Sequence, residues 1–158
     1  MDRSATVMEL AGHLRRRGWW VASAESCTGG GIAAALTDVP GSSAWFDRGF
    51  VTYSNQAKQD MLGVSPETLL RYGAVSRETV IEMVRGALAR SPAQLGVAVS
   101  GVAGPGGGTR DKPVGTVWIA WATANDVAAV HRLFPGDRAA VRAATVDLAL
   151  AGLVEWAR

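Results

Sequence analysis

The chain has 158 residues, of which 48% are hydrophobic and 19% are charged, and its 16 Lys and Arg against 14 Asp and Glu leave a formal net charge of +2. This length and composition suit one domain, residues 1–158, and exclude an intrinsically disordered chain. Because the charge is small, with one basic run at 15–17, and no apolar stretch has the length of a membrane span, we expect a cytoplasmic protein without nucleic-acid or membrane partners.

The first third of the chain predicts an alternation of helices and strands. Apolar residues recur every three or four positions over 6–17, which indicates an amphipathic helix. The apolar run 19–24 has the length of a strand, and the glycine-rich stretch 27–31 separates it from a short helix at 32–36. A second strand follows at 45–53.

The rest of the chain predicts capped helices followed by strands. Ser54 or Asn55 should cap a helix over 55–62, and Ser65 and Ser76 should cap helices over 66–72 and 77–89. Further strands are expected at 95–100, 115–122 and 127–133, with a hairpin between the last two. Asp137 should cap a final helix that runs to about residue 157.

Five strands interleaved with five or six helices predict an α/β fold, a three-layer α/β/α sandwich around a mixed sheet of about five strands. The hairpin makes the sheet mixed, and the run 95–100, apolar on both faces, is expected near its centre. No repeat or linker divides the chain.

Two glycine clusters follow predicted strands, at 27–31 and at 101–108. Ligands of open α/β sheets collect at the carboxyl ends of strands, and glycine lets main-chain N–H groups approach an anion closely. Neither cluster matches a P-loop or a dinucleotide-binding motif. The sequence therefore predicts a cleft for an anion, or for an oxyanion formed in a reaction, and no nucleotide cofactor.

Ser26 lies where the first strand turns into a helix, as the nucleophile of an α/β-hydrolase does, although Glu25 replaces the first glycine of that motif. The alternative is that Ser26 or Thr28 only caps the helix. A nucleophilic serine needs a base, and both histidines, His13 and His131, are expected at the surface.

Lysine is the other possible base, and the chain has only Lys58 and Lys112. Lowering its pKa from about 10.4 to about 7–8 requires roughly 4 kcal/mol of burial and like-charge effects. Lys58 lies one turn into the helix that follows the strand ending at Tyr53. Both side chains could face the cleft, with the tyrosine relaying a proton. The alternative is an exposed helical lysine.

Cys27 and two arginines are further candidates. As the only cysteine, Cys27 excludes an internal disulfide and a multi-cysteine metal site. A helix start lowers the pKa of a thiol, which makes Cys27 a rival nucleophile, whereas buried packing is the other interpretation. Arg138 and Arg142 lie one turn apart on the last helix, so they could hold one phosphate or line a solvated face.

Five blocks in this order, AESCTGG, YSNQAK, GAVS, SGVAGP and KPVGTV, make the chain resemble the CinA C-terminal domain family of nicotinamide-nucleotide amidases. They begin at residues 24, 53, 73, 100 and 112. The resemblance runs from about residue 4 to residue 157. It implies the three-layer fold and hydrolysis of the carboxamide of nicotinamide mononucleotide, giving nicotinate mononucleotide and ammonia without a metal or cofactor.

By motif, the resemblance implies Ser26 as nucleophile, Lys58 as base and Tyr53 as an assisting hydroxyl. It also matches a basic motif at the last helix that contains Arg138 and Arg142. The remaining substrate contacts are expected from the two glycine clusters, at Cys27, Thr28, Gly29, Gly30, Gly101, Gly104 and Gly106.

The chain departs from the pattern at Gly106, where some relatives carry Thr, so a hydroxyl donor to the substrate is expected to be missing. Two alternatives stay open: a pyridine-nucleotide-binding regulatory module without turnover, and an amidase that acts on another small carboxamide. We also expect a homo-oligomer, with a dimer favoured, because six Trp leave room for an apolar interface.

Overall fold

The computed structural model describes residues 1–158 and contains one mixed sheet of five strands with six α-helices. In chain order, the strands are β1 (Val21–Glu25), β2 (Phe46–Val51), β3 (Leu95–Gly101), β4 (Thr116–Ala122) and β5 (Val127–Leu133). The helices are α1 (Arg3–Arg17), α2 (Gly31–Thr37), α3 (Asn55–Leu62), α4 (Pro66–Tyr72), α5 (Arg77–Ala89) and α6 (Arg138–Ala157). The predicted α/β fold class is confirmed.

The strand order in the sheet is β2-β1-β3-β4-β5. Strand β1 pairs in parallel with both β2 and β3, whereas β4 is antiparallel to β3 and to β5. Strand β3 is therefore central, as its apolar run predicts. Because β2, β1 and β3 are neighbours and run in one direction, their carboxyl ends meet at one edge of the sheet.

Helices cover both faces of the sheet. On one face, α1, α2 and α6 enclose a core that includes Val97 and Val99 of β3. On the other, α3, α4 and α5 enclose a smaller core that includes Ala24 of β1 and Ala98 of β3. Alternate residues of a strand thus face different helical layers. No helix is both long and apolar enough to cross a membrane.

Helix α3 is placed by its first and last residues. The Ser54 side chain accepts a hydrogen bond from the Ala57 N–H at 3.0 Å, so the helix begins four residues after β2 ends. At its far end α3 lies directly on α5, where a Cβ atom on Gly86 would stand 2.1 Å from the Leu62 carbonyl oxygen. Only glycine allows this approach of the two helices.

The second strand is shorter than its sequence predicts, because it ends at Val51 rather than at Tyr53. The Thr52 N–H still donates to the Glu25 carbonyl oxygen at 2.8 Å, and the chain then turns into α3. As a result, the main chain of Thr52 and Tyr53, and not a regular strand, borders the carboxyl end of β1.

Candidate active site

A cavity of about 270 Å³ opens at the carboxyl ends of β1, β2 and β3. Its walls come from five segments that are distant in sequence: the turn after β1, the start of α3, residues 74–75 before α5, the end of β3 with the glycine-rich loop after it, and the start of α6. Ser26, Lys58 and Tyr53 line it, as do Gly101, Gly104 and Gly106 of the loop. The start of the first glycine cluster, the second glycine cluster and the start of α3, which were predicted to form a cleft, thus meet at one edge of the sheet.

The centre of the cavity is a contact between a serine and a lysine. Lys58 Nζ lies 3.0 Å from Ser26 Oγ, although 32 residues separate the two in sequence. Ser26 is 7% exposed and Lys58 is 1% exposed. The Ser26 N–H donates to the Val99 carbonyl oxygen at 3.1 Å, which fixes the serine to the end of the sheet.

The Lys58 amine is buried without a carboxylate partner. Nζ also lies 3.0 Å from the main-chain oxygen of Thr52 and 3.0 Å from that of Tyr53, and it forms no salt bridge. Burial penalises the charged ammonium and lowers the pKa of Lys58 to about 8. Most molecules therefore still carry a charged Lys58 at pH 7, and the neutral amine predominates above pH 8.

Tyr53 takes part through its backbone and not through the expected hydroxyl bridge. Its carbonyl oxygen lies 3.3 Å from Ser26 Oγ and 3.0 Å from Lys58 Nζ. The phenol is 60% exposed and its oxygen accepts a hydrogen bond from Arg138 at 3.1 Å. Because β2 ends at Val51 and the chain turns there, carbonyl groups face the amine and the ring faces outward.

The turn between β1 and α2 is organised by Glu25, which the sequence analysis did not identify as a structural residue. Its buried carboxylate accepts hydrogen bonds from the Thr28 hydroxyl, from the Ile32 N–H at 2.8 Å and from the Ala33 N–H at 3.0 Å. An acid at the end of an otherwise apolar strand, directly before a helix, was the available signal. Thr28 was expected to contact the substrate, but its hydroxyl donates a hydrogen bond to the Glu25 carboxylate.

The N–H groups of this turn are not all available to a ligand. The Gly29 N–H donates to the Ser26 carbonyl oxygen at 3.0 Å, whereas those of Cys27, Thr28 and Gly30 donate to no main-chain oxygen. Gly29 and Gly30 have positive φ, at 58° and 103°, which makes the turn this tight, but neither lines the cavity.

Cys27 has the properties of a packed residue. It is buried in the larger core cluster, and burial raises the pKa of its thiol to about 11, with a further increase from Glu25. The predicted lowering of this pKa by the helix start is wrong, because loss of hydration outweighs the lowering effects around the sulfur. At neutral pH the thiol is protonated and a poor nucleophile.

Arg138 and Arg142 occupy different places. Arg138 donates to the Gly104 carbonyl oxygen at 2.8 Å and lines the cavity beside Tyr53. Arg142 donates to the Cys27 oxygen at 3.1 Å and to the Thr28 oxygen at 3.2 Å, and it does not line that cavity. Both arginines line a second cavity of about 640 Å³ beside the start of α6. An anion shared by both would have to lie there.

Two glycines of the loop after β3 differ in whether a side chain would fit at their position. Gly104 has φ of +85°, and a Cβ atom there would stand 2.4 Å from the Val114 side chain. A Cβ on Gly106 would meet no atom within 4 Å, so the position that carries Thr in some relatives is open space on the cavity wall. His13 and His131 both lie outside the cavity lining. His131 is exposed, as predicted, whereas His13 is half-buried and its Nε2 atom is inaccessible, so its predicted solvated position is wrong.

The sequence is similar to those of several bacterial amidohydrolases. It is 58% identical over 157 residues to the nicotinamide-nucleotide amidohydrolase PncC of Pseudomonas putida, covering 98% of each chain. Identity to the Escherichia coli K12 protein of that name is 55% over 138 residues, covering 87% of this chain and 84% of the relative. A CinA-like protein of Akkermansia muciniphila is 52% identical over 147 residues, but this chain spans only 36% of its length.

Solved structures and family membership agree with this similarity. The crystal structure of the competence/damage-inducible protein CihA of Agrobacterium tumefaciens matches with a TM-score of 0.96 and 48% identity, covering 100% of this chain and 97% of that one. The sequence model of the CinA C-terminal domain matches residues 4–156, nearly the whole chain. The chain therefore belongs to the CinA C-terminal domain family.

Proposed function

We propose that this chain is an amidohydrolase that converts nicotinamide mononucleotide into nicotinate mononucleotide and ammonia, with Ser26 as nucleophile and Lys58 as base. The observation that carries the proposal is the 3.0 Å contact between Ser26 Oγ and a buried lysine amine inside a cavity. Relatives at 55–58% identity bear the name of this activity.

The surroundings of Lys58 suit a base that starts neutral. A neutral amine has two N–H donors and one lone pair. The carbonyl oxygens of Thr52 and Tyr53, each 3.0 Å from Nζ, take the two donors, and the lone pair is left for the Ser26 hydroxyl proton. When Lys58 is charged, the Ser26 hydroxyl instead donates to the Tyr53 oxygen at 3.3 Å.

The reaction then proceeds in two halves. Ser26 Oγ forms a bond to the amide carbon as its proton moves to Lys58 Nζ; the C–N bond breaks, and the nitrogen takes that proton and leaves as ammonia. Water next attacks the acyl-serine ester, giving its proton to Lys58, which returns one to Ser26 Oγ as the acid is released. Because Lys58 supplies and removes every proton, no step requires a metal ion or a cofactor.

The turn after Ser26 supplies donors for the negative charge that develops on the carbonyl oxygen. Of the turn residues that follow the nucleophile, Cys27 lines the cavity and comes directly after Ser26, so its N–H group is the nearest main-chain donor in sequence. One oxyanion donor contributes about 10²–10³ to the rate in other serine hydrolases. We therefore assign this turn to the transition state, with Gly29 and Glu25 holding its shape.

The phosphate of the substrate fits the second cavity. Arg138 lines both cavities, so a molecule with its amide at Ser26 can extend past Arg138 toward Arg142. The first residues of α6 add N–H donors and the positive end of the helix dipole beside both guanidinium groups. Gly101, Gly104 and Gly106 form the wall along which the ribose would lie.

The proposal is tested by measuring ammonia release from nicotinamide mononucleotide with the wild type and the variants Ser26→Ala, Lys58→Ala and Cys27→Ala. We expect the first two variants to lose more than about 10³-fold in kcat and the third to retain most of it, because its thiol is buried and protonated. Near-wild-type turnover by either of the first two variants would refute the assignment.

The same assay separates the remaining candidates. Binding of a pyridine nucleotide by the wild type without any product would identify a binding module. Faster hydrolysis of a phosphate-free carboxamide than of the nucleotide would indicate a different small amide as substrate, and would argue against a phosphate site at Arg138 and Arg142.

A further inference from the structure

Ser100 is a buried polar residue that the reaction described above does not use. It is the sixth residue of β3, is 1% exposed and lines the cavity that contains Ser26. Its hydroxyl is not one of the side-chain groups that are buried without a partner, so it stays open to the cavity. A ligand in the cavity can take the place of water as the hydrogen-bond partner of this hydroxyl.

The sheet places Ser100 beside the nucleophile. Strands β1 and β3 are parallel neighbours, paired at Ala24 with Ala98 and at Glu25 with Val99, so the register continues to Ser26 with Ser100. Residues at one level of neighbouring strands lie about 5 Å apart. Ala24 and Ala98 both face the core under α5, and two residues further along, Ser26 and Ser100 face the same way.

Ser100 and Lys58 lie on opposite flanks of Ser26. The sheet order is β2-β1-β3. The carbonyl groups that hold Lys58 follow β2, and Ser100 is the penultimate residue of β3. The amide nitrogen must face Lys58, because it leaves with the proton that Lys58 carries. The carbonyl oxygen, on the other side of the attacked carbon, then faces β3.

We propose that the Ser100 hydroxyl donates a hydrogen bond to the carbonyl oxygen of the substrate as this oxygen becomes an oxyanion. Ser100 is then a catalytic residue that supplements the main-chain donors of the turn. The inference rests on the proposed function, since it needs an acyl transfer to Ser26. A donor aimed at developing charge strengthens in the transition state, so its loss reduces kcat and leaves KM nearly unchanged.

The test compares kcat and KM for nicotinamide mononucleotide in Ser100→Ala, Ser100→Cys and a matched control, Ser23→Ala. Ser23 is also a buried strand serine whose hydroxyl has no partner, but it lies on β1 away from the cavity lining. We expect about a 10²-fold lower kcat for Ser100→Ala, with KM within about twofold of the wild type. The kcat of Ser100→Cys, whose thiol is a weak donor, should lie between those of Ser100→Ala and the wild type. The kcat of Ser23→Ala should equal that of the wild type.

Two further readouts distinguish a direct role from a structural one. The apparent pKa of kcat/KM should stay that of the wild type, because Lys58 is untouched, and the melting temperature of Ser100→Ala should not decrease. An unchanged kcat, a higher KM alone, or a lost kcat together with a lower melting temperature would each overturn the inference. Absence of ammonia release by the wild type would overturn the proposed function itself.

Discussion

The strongest prediction concerns pH, because the proposed base is charged at neutral pH in most molecules. With the pKa of Lys58 near 8, about one molecule in eleven has the neutral amine at pH 7 and about ten in eleven at pH 9. Only the neutral amine accepts the Ser26 proton, so kcat/KM should rise about tenfold over this interval and level off above pH 9.

The assay is ammonia release from nicotinamide mononucleotide between pH 7 and pH 9.5 at constant ionic strength. The second pKa of a phosphate monoester is near 6, so this ionisation is about nine-tenths complete at pH 7 and the substrate keeps one charge state over most of this range. A profile that is flat, or that falls from pH 7, would refute the neutral-lysine mechanism.

The same burial affects folding. Because the pKa of Lys58 is about 8 in the folded protein and 10.5 as the ordinary value, the unfolded chain holds a proton between these pH values that the folded protein has released. Stability contributed by this group therefore rises with pH over that window, by at most about 3 kcal/mol. Lys58→Met removes the effect, so the difference in unfolding free energy between wild type and variant should change with pH there and be constant below pH 7.

Three other substitutions test the remaining geometry. Tyr53→Phe should keep kcat within about fivefold, as measured by ammonia release, because the phenol contacts Arg138 and not the serine or the lysine. Arg138→Ala should raise KM for nicotinamide mononucleotide about 10- to 100-fold, from loss of a charged hydrogen bond, and raise KM for the riboside without phosphate much less. Gly106→Ser should leave the melting temperature unchanged in calorimetry, because its side chain enters open space.

The fold was predictable because local signals and tertiary structure agree. Caps at Ser54, Ser65, Ser76 and Asp137 are each confirmed by a side chain that accepts an N–H of the first helical turn. The apolar strand at the centre of the sheet is also where its pattern places it. These features depend on neighbours in sequence, so one sequence is enough to find them.

The site was predictable in its segments and less so in its contacts. Glycine turns and strand ends predicted Ser26 and Lys58 in one cleft. Which atoms of Tyr53 face this cleft, however, depends on the residue at which β2 ends. Two residues fewer in β2 turned the Tyr53 ring outward and its carbonyl inward. The hydrogen-bond partners of Glu25 and Arg142 also depend on the packed turn after β1. The hydrophobic pattern of the sequence does not predict the structure of this turn.

The contact between Leu62 and Gly86 has a consequence for how the enzyme could fail. The proposed base sits on an eight-residue helix whose far end presses on another helix through bare backbone. A single added methyl group at position 86 would displace α3 and move the Lys58 amine away from the Ser26 hydroxyl. Gly86 is buried and does not line the cavity, so a substitution there would impair catalysis only indirectly, by displacing α3 and with it Lys58.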